Sequence, residues 1–184
     1  SSLFTLSPLN AVGLLAKMDE FWSSSSPNLS PFTIAERVIR QLESDYPTVR
    51  KHMFTILPIS ALLSVGAINI ERDIPLLKKL AEGDVESIAE KFKSVRHFQK
   101  YCKTIGVSES ECTDIVQSYG LYGVYALVCY LRENQQTDNA QLCGYLLELS
   151  GYNDFMGLLV SHFRDRASLI KVQNSVQKIV DKCE

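Results

Sequence analysis

The hydrophobic pattern near the amino end contains two short runs in which apolar residues follow one another without polar alternation. The first covers residues 10–16, Asn-Ala-Val-Gly-Leu-Leu-Ala, and the second covers residues 52–60, His-Met-Phe-Thr-Ile-Leu-Pro-Ile-Ser. Such runs are typical of strands that are buried on both faces of a parallel sheet. The sequence therefore predicts two buried strands, and a parallel pair of strands needs a crossover connection between them.

The residues between these two runs favour a crossover helix. Ser30-Pro31 has the pattern of an N-cap followed by proline at the first helical position, and Tyr46-Pro47 marks the end of the helix. Strand, helix and strand in this order form a parallel crossover unit. Because two strands alone make no stable sheet, we expect further strands from elsewhere. The predicted buried face of the helix consists of Ile34, Ala35, Val38, Ile39 and Leu42.

From about residue 71 the pattern becomes helical up to the carboxyl end. Asp73-Ile74-Pro75 predicts the start of a helix that stops at Gly83, and Asp84 is the predicted cap of the next helix. We therefore predict a mainly α protein, in which residues 1–70 form a small two-stranded parallel α/β unit and residues 71–184 form a helical bundle. Further predicted helical features are a segment over residues 94–105 closed by Gly106, a capping box at Ser108 and Glu111, and a last helix over residues 153–183.

Residues 115–131 carry no charged side chain, so a membrane span and a buried core helix are the two interpretations. The segment is shorter than the roughly 20 residues that a span needs, and it contains polar side chains and two glycines. We favour a central core helix. Gly120 and Gly123 would then lie on one face and allow a neighbouring helix to pack closely.

The composition indicates which classes of binding partner and which cellular compartment to expect. The 184 residues include 19 Lys and Arg against 21 Asp and Glu, and the formal net charge is -2. A nucleic-acid-binding protein usually has a basic excess, so we expect no nucleic-acid partner. The five cysteines are scattered and odd in number, which indicates reduced thiols in the cytoplasm rather than a disulfide framework. The chain lacks the pattern of a signal peptide, and its start at Ser1 on an apolar run indicates a cut from a longer protein.

Short motifs for phosphate loops and metal sites do not occur in the sequence. It has no Gly-x-x-x-x-Gly-Lys-Ser/Thr, no Gly-x-Gly-x-x-Gly, no Cys-x-x-Cys and no His-x-x-x-His. We therefore expect no metal site and no catalytic residue within this chain. A catalytic pair of His97 and Cys102 is disfavoured, because their spacing puts them on different faces of a helix.

Four residues with chemistry suited to a purine follow the two predicted strands. Lys17 and Asp19 come directly after the first strand, and Ser60 and Ala61 come after the second. Ligands of α/β proteins bind at the carboxyl ends of parallel strands. There an aspartate can accept hydrogen bonds from a ring N–H and an exocyclic amine together, which selects guanine over adenine. The lysine stem can cover the nucleotide, and a backbone N–H of the second turn can meet the carbonyl oxygen of the base. The simpler alternative for Lys-x-Asp is a solvated surface pair.

The same residues carry a resemblance to a known family. Residues 10–19, which end in Ala-Lys-Met-Asp, resemble the fourth guanine-nucleotide motif of P-loop GTPases, Asn/Thr-Lys-x-Asp, and residues 58–63, Pro-Ile-Ser-Ala-Leu-Leu, resemble the fifth. The serine loop and the helix between them resemble bacterial dynamin-like GTPases in particular. Residues 119–123, 150–152 and 162–171 are similar to the Phe-Gly-Leu-Phe-Gly, Ser-Gly-Leu and His-Phe-x-x-Arg-Ala-x-x-Leu-Lys elements of the helical region in that family.

This resemblance implies that the chain is the carboxyl-terminal part of a GTPase domain followed by a helical region. Lys17, Asp19, Ser60 and Ala61 would then be the guanine-binding residues. A missing amino-terminal GTPase half would supply the phosphate loop and hold GTP with Mg²⁺. The chain departs from the family motif at Ala16, which replaces an Asn or Thr whose side chain ties the loop together. We therefore expect neither tight nucleotide binding nor GTP hydrolysis by these residues alone.

For the whole protein, the resemblance implies GTP hydrolysis that is coupled to self-association as a homo-oligomer and to membrane remodelling. It also implies a cytoplasmic protein that contacts the membrane peripherally. Arg164, Arg166 and Lys171 are the candidate contacts between the helical region and the GTPase domain. The simpler alternative for these cations is pairing with carboxylates of neighbouring helices. The competing hypothesis for the chain is a non-enzymatic helical protein-interaction module.

Overall fold

The computed structural model describes residues 11–83, 88–134 and 136–164, together with 171–172, 175–176 and 178. These residues form a mainly helical protein with a small two-stranded parallel sheet near the amino end, and this confirms the predicted fold class. In chain order the elements are β1 (Val12–Ala16), a 3-10 turn (Met18–Phe21), α1 (Pro31–Asp45), α2 (Val49–His52), β2 (Thr55–Ile59), α3 (Ala61–Glu82), α4 (Ile88–Lys91), α5 (Val95–Thr104), α6 (Glu109–Glu133), α7 (Asn139–Leu149), α8 (Tyr152–Leu158) and a π-helical turn (Leu159–Arg164).

The predicted order and parallel pairing of the crossover unit are confirmed, but the prediction that both strands are buried is wrong, since Leu14 is 47% exposed. Strands β1 and β2 pair in parallel, in a register that ends with Ala16 opposite Ile59. The connecting helix α1 begins where the sequence predicts, because the Ser30 hydroxyl accepts a hydrogen bond from the Phe32 amide at 3.2 Å and Pro31 occupies the first turn. It ends at the predicted C-cap, Tyr46.

The predicted start of a helix at Asp73–Pro75 is wrong. Helix α3 already begins at Ala61 and passes through Pro75 to Glu82, so one helix crosses position 70, and only its predicted stop at Gly83 is confirmed. A proline inside a helix costs about 3 kcal/mol, because it removes a hydrogen bond and crowds the preceding turn. Apolar side chains on both sides of Pro75 are fully buried against the core, and this burial outweighs that cost. They are Leu63, Leu77 and Leu80.

Helix α6 is the central core helix, as its uncharged sequence predicts. Its predicted capping box is present, since the Ser108 hydroxyl accepts from the Glu111 amide at 3.2 Å and the Glu111 carboxylate accepts from the Ser108 amide at 2.9 Å. Apolar residues along its whole length are buried against α3, α5 and α7. In the described part of the chain, no helix has both the length and the apolar character that a membrane span requires.

Other predicted features have mixed outcomes. The segment predicted over residues 94–105 is helix α5, which has Ser94 as its N-cap and is followed by Gly106 with a positive φ. The described cysteines are free thiols, and Cys102 lies against Cys112 rather than near His97, whose ring nitrogen contacts the Ser94 hydroxyl. The predicted cap Asp84 lies outside the described residues, as does most of the last predicted helix beyond residue 164.

Candidate functional site

The turns after the two strands lie at the same edge of the sheet. Ala16 pairs with Ile59 at the ends of β1 and β2, so Lys17 and Ser60 leave neighbouring strands at the same level. Neighbouring strands are about 4.8 Å apart, which brings together the two segments that the sequence predicts as one site. We call residues 17–22 the first loop and residues 60–62 the second loop.

Lys17 gives the first loop its direction. It has a φ of 59°, and among the described residues it is the only one other than glycine with a positive φ. A side chain in this left-handed region costs about 1–3 kcal/mol, and such strain clusters at functional sites. The sharp turn buries Met18 completely and leaves the Lys17 side chain 76% exposed, with its ammonium 3.1 Å from the Glu20 carboxylate. The lysine stem is therefore open to a ligand.

The Asp19 carboxylate is the acceptor in the first loop. Asp19 is partly buried, and its carboxylate makes no hydrogen bond or ion pair with any residue that the structure describes. Its Oδ2 atom faces α6, where it lies 3.5 Å from the position that a Cβ would take on Gly120. An ionised carboxylate accepts hydrogen bonds at both oxygens, so this group can receive two donors from one ligand.

The second loop offers a backbone donor. The Ser60 hydroxyl is fully buried and accepts from the Leu63 amide at 3.3 Å, while the Ser60 amide donates to the Ser150 carbonyl oxygen at 2.9 Å. Both polar groups of Ser60 are therefore engaged within the protein. Ala61 is exposed at the first position of α3, where the backbone N–H has no acceptor within the helix. We infer that Ser60 positions this loop and that Ala61 presents its N–H.

Two segments far along the chain pack against this end of the sheet. Gly120 lies beside both loops, since a Cβ on it would be 3.5 Å from an Asp19 carboxylate oxygen and 3.5 Å from Leu62 Cδ2. Gly151 packs directly against the Pro58 carbonyl oxygen of β2. These segments, together with His162, belong to the elements on which the family resemblance depends. The His162 ring packs at the opposite end of the sheet, where it stacks on Phe54, the residue before β2, at 4.0 Å between centroids.

Aromatic packing fixes the end of the first loop to α6. The Trp22 ring lies 4.7 Å from the Tyr125 ring and 5.9 Å from the Tyr122 ring, measured between centroids. Burial raises the pKa of Tyr125 to about 12, so this phenol stays neutral at physiological pH. The Trp22 Nε1 atom is buried without a hydrogen-bond partner in the described structure. Sequence analysis missed this anchor, although aromatic residues at helical spacing were visible in α6.

The structure describes two of the three predicted contact cations. Arg164 ends the π-helical turn and is exposed, Lys171 is exposed in a separate described segment, and Arg166 lies outside the described residues. Their predicted contact with a GTPase domain stays a prediction.

Clefts elsewhere in the protein are lined by residues with structural roles. A cleft of about 500 Å³ lies between α3 and α6, and there the Arg132 guanidinium donates to the carbonyl oxygens of Ala81 and Gly83 at 2.8 and 2.6 Å. This arginine holds the carboxyl end of α3. A second cleft of about 470 Å³ contains Asp73, which accepts from the Tyr119 hydroxyl at 2.9 Å and pairs with Arg72. Neither cleft includes a residue of the two loops.

The described residues include no group of three or more histidine, cysteine or carboxylate side chains placed to hold a metal ion. Comparisons with protein-family models, with curated proteins and with solved structures find no match for this chain. The candidate site therefore depends on its own geometry and on the motif resemblance.

Proposed function

We propose that this chain contributes the guanine-recognition loops and the helical region of a dynamin-like GTPase. The observation that carries the proposal is the position of the two loops, which follow the paired ends of β1 and β2. They contain a carboxylate and a backbone N–H that have no hydrogen-bond partner among the described residues. The residues that carry the motif resemblance therefore follow the paired strand ends, and this supports the proposal.

Each loop supplies one part of base recognition. The Asp19 carboxylate accepts from the ring N–H and the exocyclic amine of guanine, and the exposed Lys17 stem covers the nucleotide. The Ala61 N–H donates to the carbonyl oxygen of the base, and Ser60 holds this turn in place. Ala16 has no side-chain hydrogen bond to give to the loop, so base affinity in this chain is weak. An adenine base would present an acceptor and no amine to Asp19, which accounts for selectivity.

Hydrolysis of GTP belongs to residues outside this chain. Phosphoryl transfer needs a phosphate loop, Mg²⁺ ligands and a residue that positions water, and the 184 residues contain no phosphate-loop motif. An amino-terminal GTPase half supplies these parts in the proposal. The helical region then couples the nucleotide state of the GTPase domain to self-association of the protein or to remodelling of a membrane.

Exchanging Asp19 for asparagine tests the proposed base contact. The amide offers one donor and one acceptor, so it should prefer xanthine, which has a carbonyl oxygen in place of the guanine amine. A correctly paired base contact discriminates by about 1–3 kcal/mol, so we expect the guanine-over-xanthine preference to fall by about tenfold or more. Saturation-transfer NMR with millimolar guanosine and xanthosine monophosphates measures this preference without the phosphate-binding half.

Asp45→Asn is the matched control, because Asp45 lies at the exposed end of α1 and contacts only Gln41 among the described side chains. It should leave the base preference unchanged. Wild-type protein that treats guanosine and adenosine monophosphates alike would contradict the proposal. That result would favour the competing hypothesis of a helical protein-interaction module, under which the protein does not recognise nucleotides.

A further inference from the structure

Helix α6 is interrupted at its centre. Gly120 has φ 67° and ψ 170°, a conformation that is essentially restricted to glycine, whereas the residues on both sides are helical. The flanking side chain of Tyr119 is fully buried, so the interruption lies in the core and not at a frayed end. At such a point the helical hydrogen-bond ladder is broken, and the two halves of the helix can change their relative direction.

Both candidate loops contact this interruption. Oδ2 of Asp19 and Cδ2 of Leu62 each lie 3.5 Å from the Cβ position of residue 120, so Gly120 is held between the first and the second loop. The second half of α6 therefore begins at the place where we propose that guanine binds. Trp22 makes a second connection between the first loop and this half of α6 through its packing on Tyr125.

We propose that the interruption at Gly120 couples occupancy of the two loops by a guanine base to the conformation of the second half of α6, residues 121–133. The guanine part of this inference rests on the proposed function. The coupling follows from the position of Asp19, because one carboxylate packs against Gly120 and also receives the donors of the base. A ligand that redirects this carboxylate changes its contact with the interruption, and by thermodynamic linkage the state of the interruption changes the affinity for the ligand.

Substitution of Gly120 by alanine changes the preferred backbone conformation at this position without introducing a steric clash. A Cβ there would meet its neighbours at ordinary contact distance, so Gly120→Ala meets no steric clash, but alanine strongly disfavours the observed φ and favours a continuous helix. Gly144→Ala is the matched control, since Gly144 lies in α7, has a negative φ and leaves open space around a Cβ. We expect Gly120→Ala to weaken binding of guanosine monophosphate about fivefold or more, as is typical of coupled sites, and Gly144→Ala to leave it unchanged.

Hydrogen exchange followed by mass spectrometry provides the second readout. Guanosine monophosphate should change the exchange rate of the wild-type segment around residues 119–125 about threefold or more, in addition to its effect on the two loops. Unchanged exchange in this segment when the nucleotide is bound, or equal affinity of wild type and Gly120→Ala, would overturn the coupling.

A test without ligand distinguishes failure of this inference from failure of the proposed function. The same test replaces the Gly120→Ala experiment if that variant does not fold. Asp19→Ala should raise the exchange rate at residues 119–125, whereas Glu20→Ala, which removes an exposed carboxylate from the same turn, should not. Equal exchange in both variants would refute the link between Asp19 and the interruption. Faster exchange in Asp19→Ala, in a protein that binds no guanine, would leave that link standing and reject the proposed function alone.

Discussion

Gly151→Ala is expected to lower the free energy of unfolding by about 3 kcal/mol, the sum of a left-handed alanine and a steric overlap in a packed interior. Gly151 has a φ of 73°, and a Cβ there would overlap the Pro58 carbonyl oxygen. The adjacent Ser150 carbonyl accepts from the Ser60 amide at 2.9 Å, so relief of the overlap would disturb the second loop. Because the backbone fixes the position of a Cβ and the neighbouring atom is a backbone oxygen, a rotamer change cannot relieve this overlap.

Thermal and urea unfolding measure this effect against a matched glycine. Gly144→Ala should stabilise the protein by about 0.5–1 kcal/mol, since alanine is the better helix former and space is open around it. In a protein of this size, the loss at Gly151 corresponds to a fall in Tm of about 6–12 °C. A Gly151→Ala variant with wild-type stability would show that α8 does not dock on β2 as described.

The contact between Gly123 and Leu63 should give the second large effect. Leu63 is fully buried in the first turn of α3, and a Cβ on Gly123 would lie 2.5 Å from its Cδ2 atom. Leu63→Ala should cost about 2–5 kcal/mol through lost burial and a cavity. Gly123→Ala should cost about 1–3 kcal/mol through overpacking, reduced by the higher helix propensity of alanine.

The double variant tests whether these costs arise from the same contact. Truncation of Leu63 removes the atom that the new methyl group meets, so the combined cost should be smaller than the sum by about 1 kcal/mol or more. Leu63→Ala combined with Gly144→Ala should be additive within about 0.5 kcal/mol. Urea unfolding of the wild type, the three single variants and the two double variants gives both cycles. Additivity in the first cycle would contradict the close approach of α3 and α6.

Sequence predicts those parts of the fold that depend on local chemistry. The cap of α1 depends on Ser30 and Pro31, and the start of α6 depends on Ser108 and Glu111, so in both cases the deciding contacts lie within a few residues. The two strands are also predictable, because each is a continuous apolar run, but the burial on both faces that such runs indicate is not observed, since Leu14 is 47% exposed.

Sequence does not predict those features that long-range packing decides. A proline usually marks a helix start, yet Pro75 lies inside α3 because the core holds the helix on both sides of it. Gly120 and Gly123 look alike in sequence, but Gly123 allows close packing of helices whereas Gly120 breaks the helix beside Asp19.

The candidate site also has features that the sequence predicts and features that only the folded structure shows. Lys17, Asp19 and Ala61 follow from their spacing after the strands. Two further features are visible only in the folded structure: the Ser60 amide donates to the Ser150 carbonyl oxygen, and Gly120 lies between the two loops.

Titration of the backbone amide NMR signals with guanosine monophosphate, with adenosine monophosphate in parallel, tests most directly whether the two loops bind one base. We predict saturable shifts for the amides of residues 17–22 and 61–63 with guanosine monophosphate at millimolar concentration, and no saturable shift in either loop with adenosine monophosphate. Equal responses to the two nucleotides, or guanine-dependent shifts that leave both loops unaffected, would contradict the account.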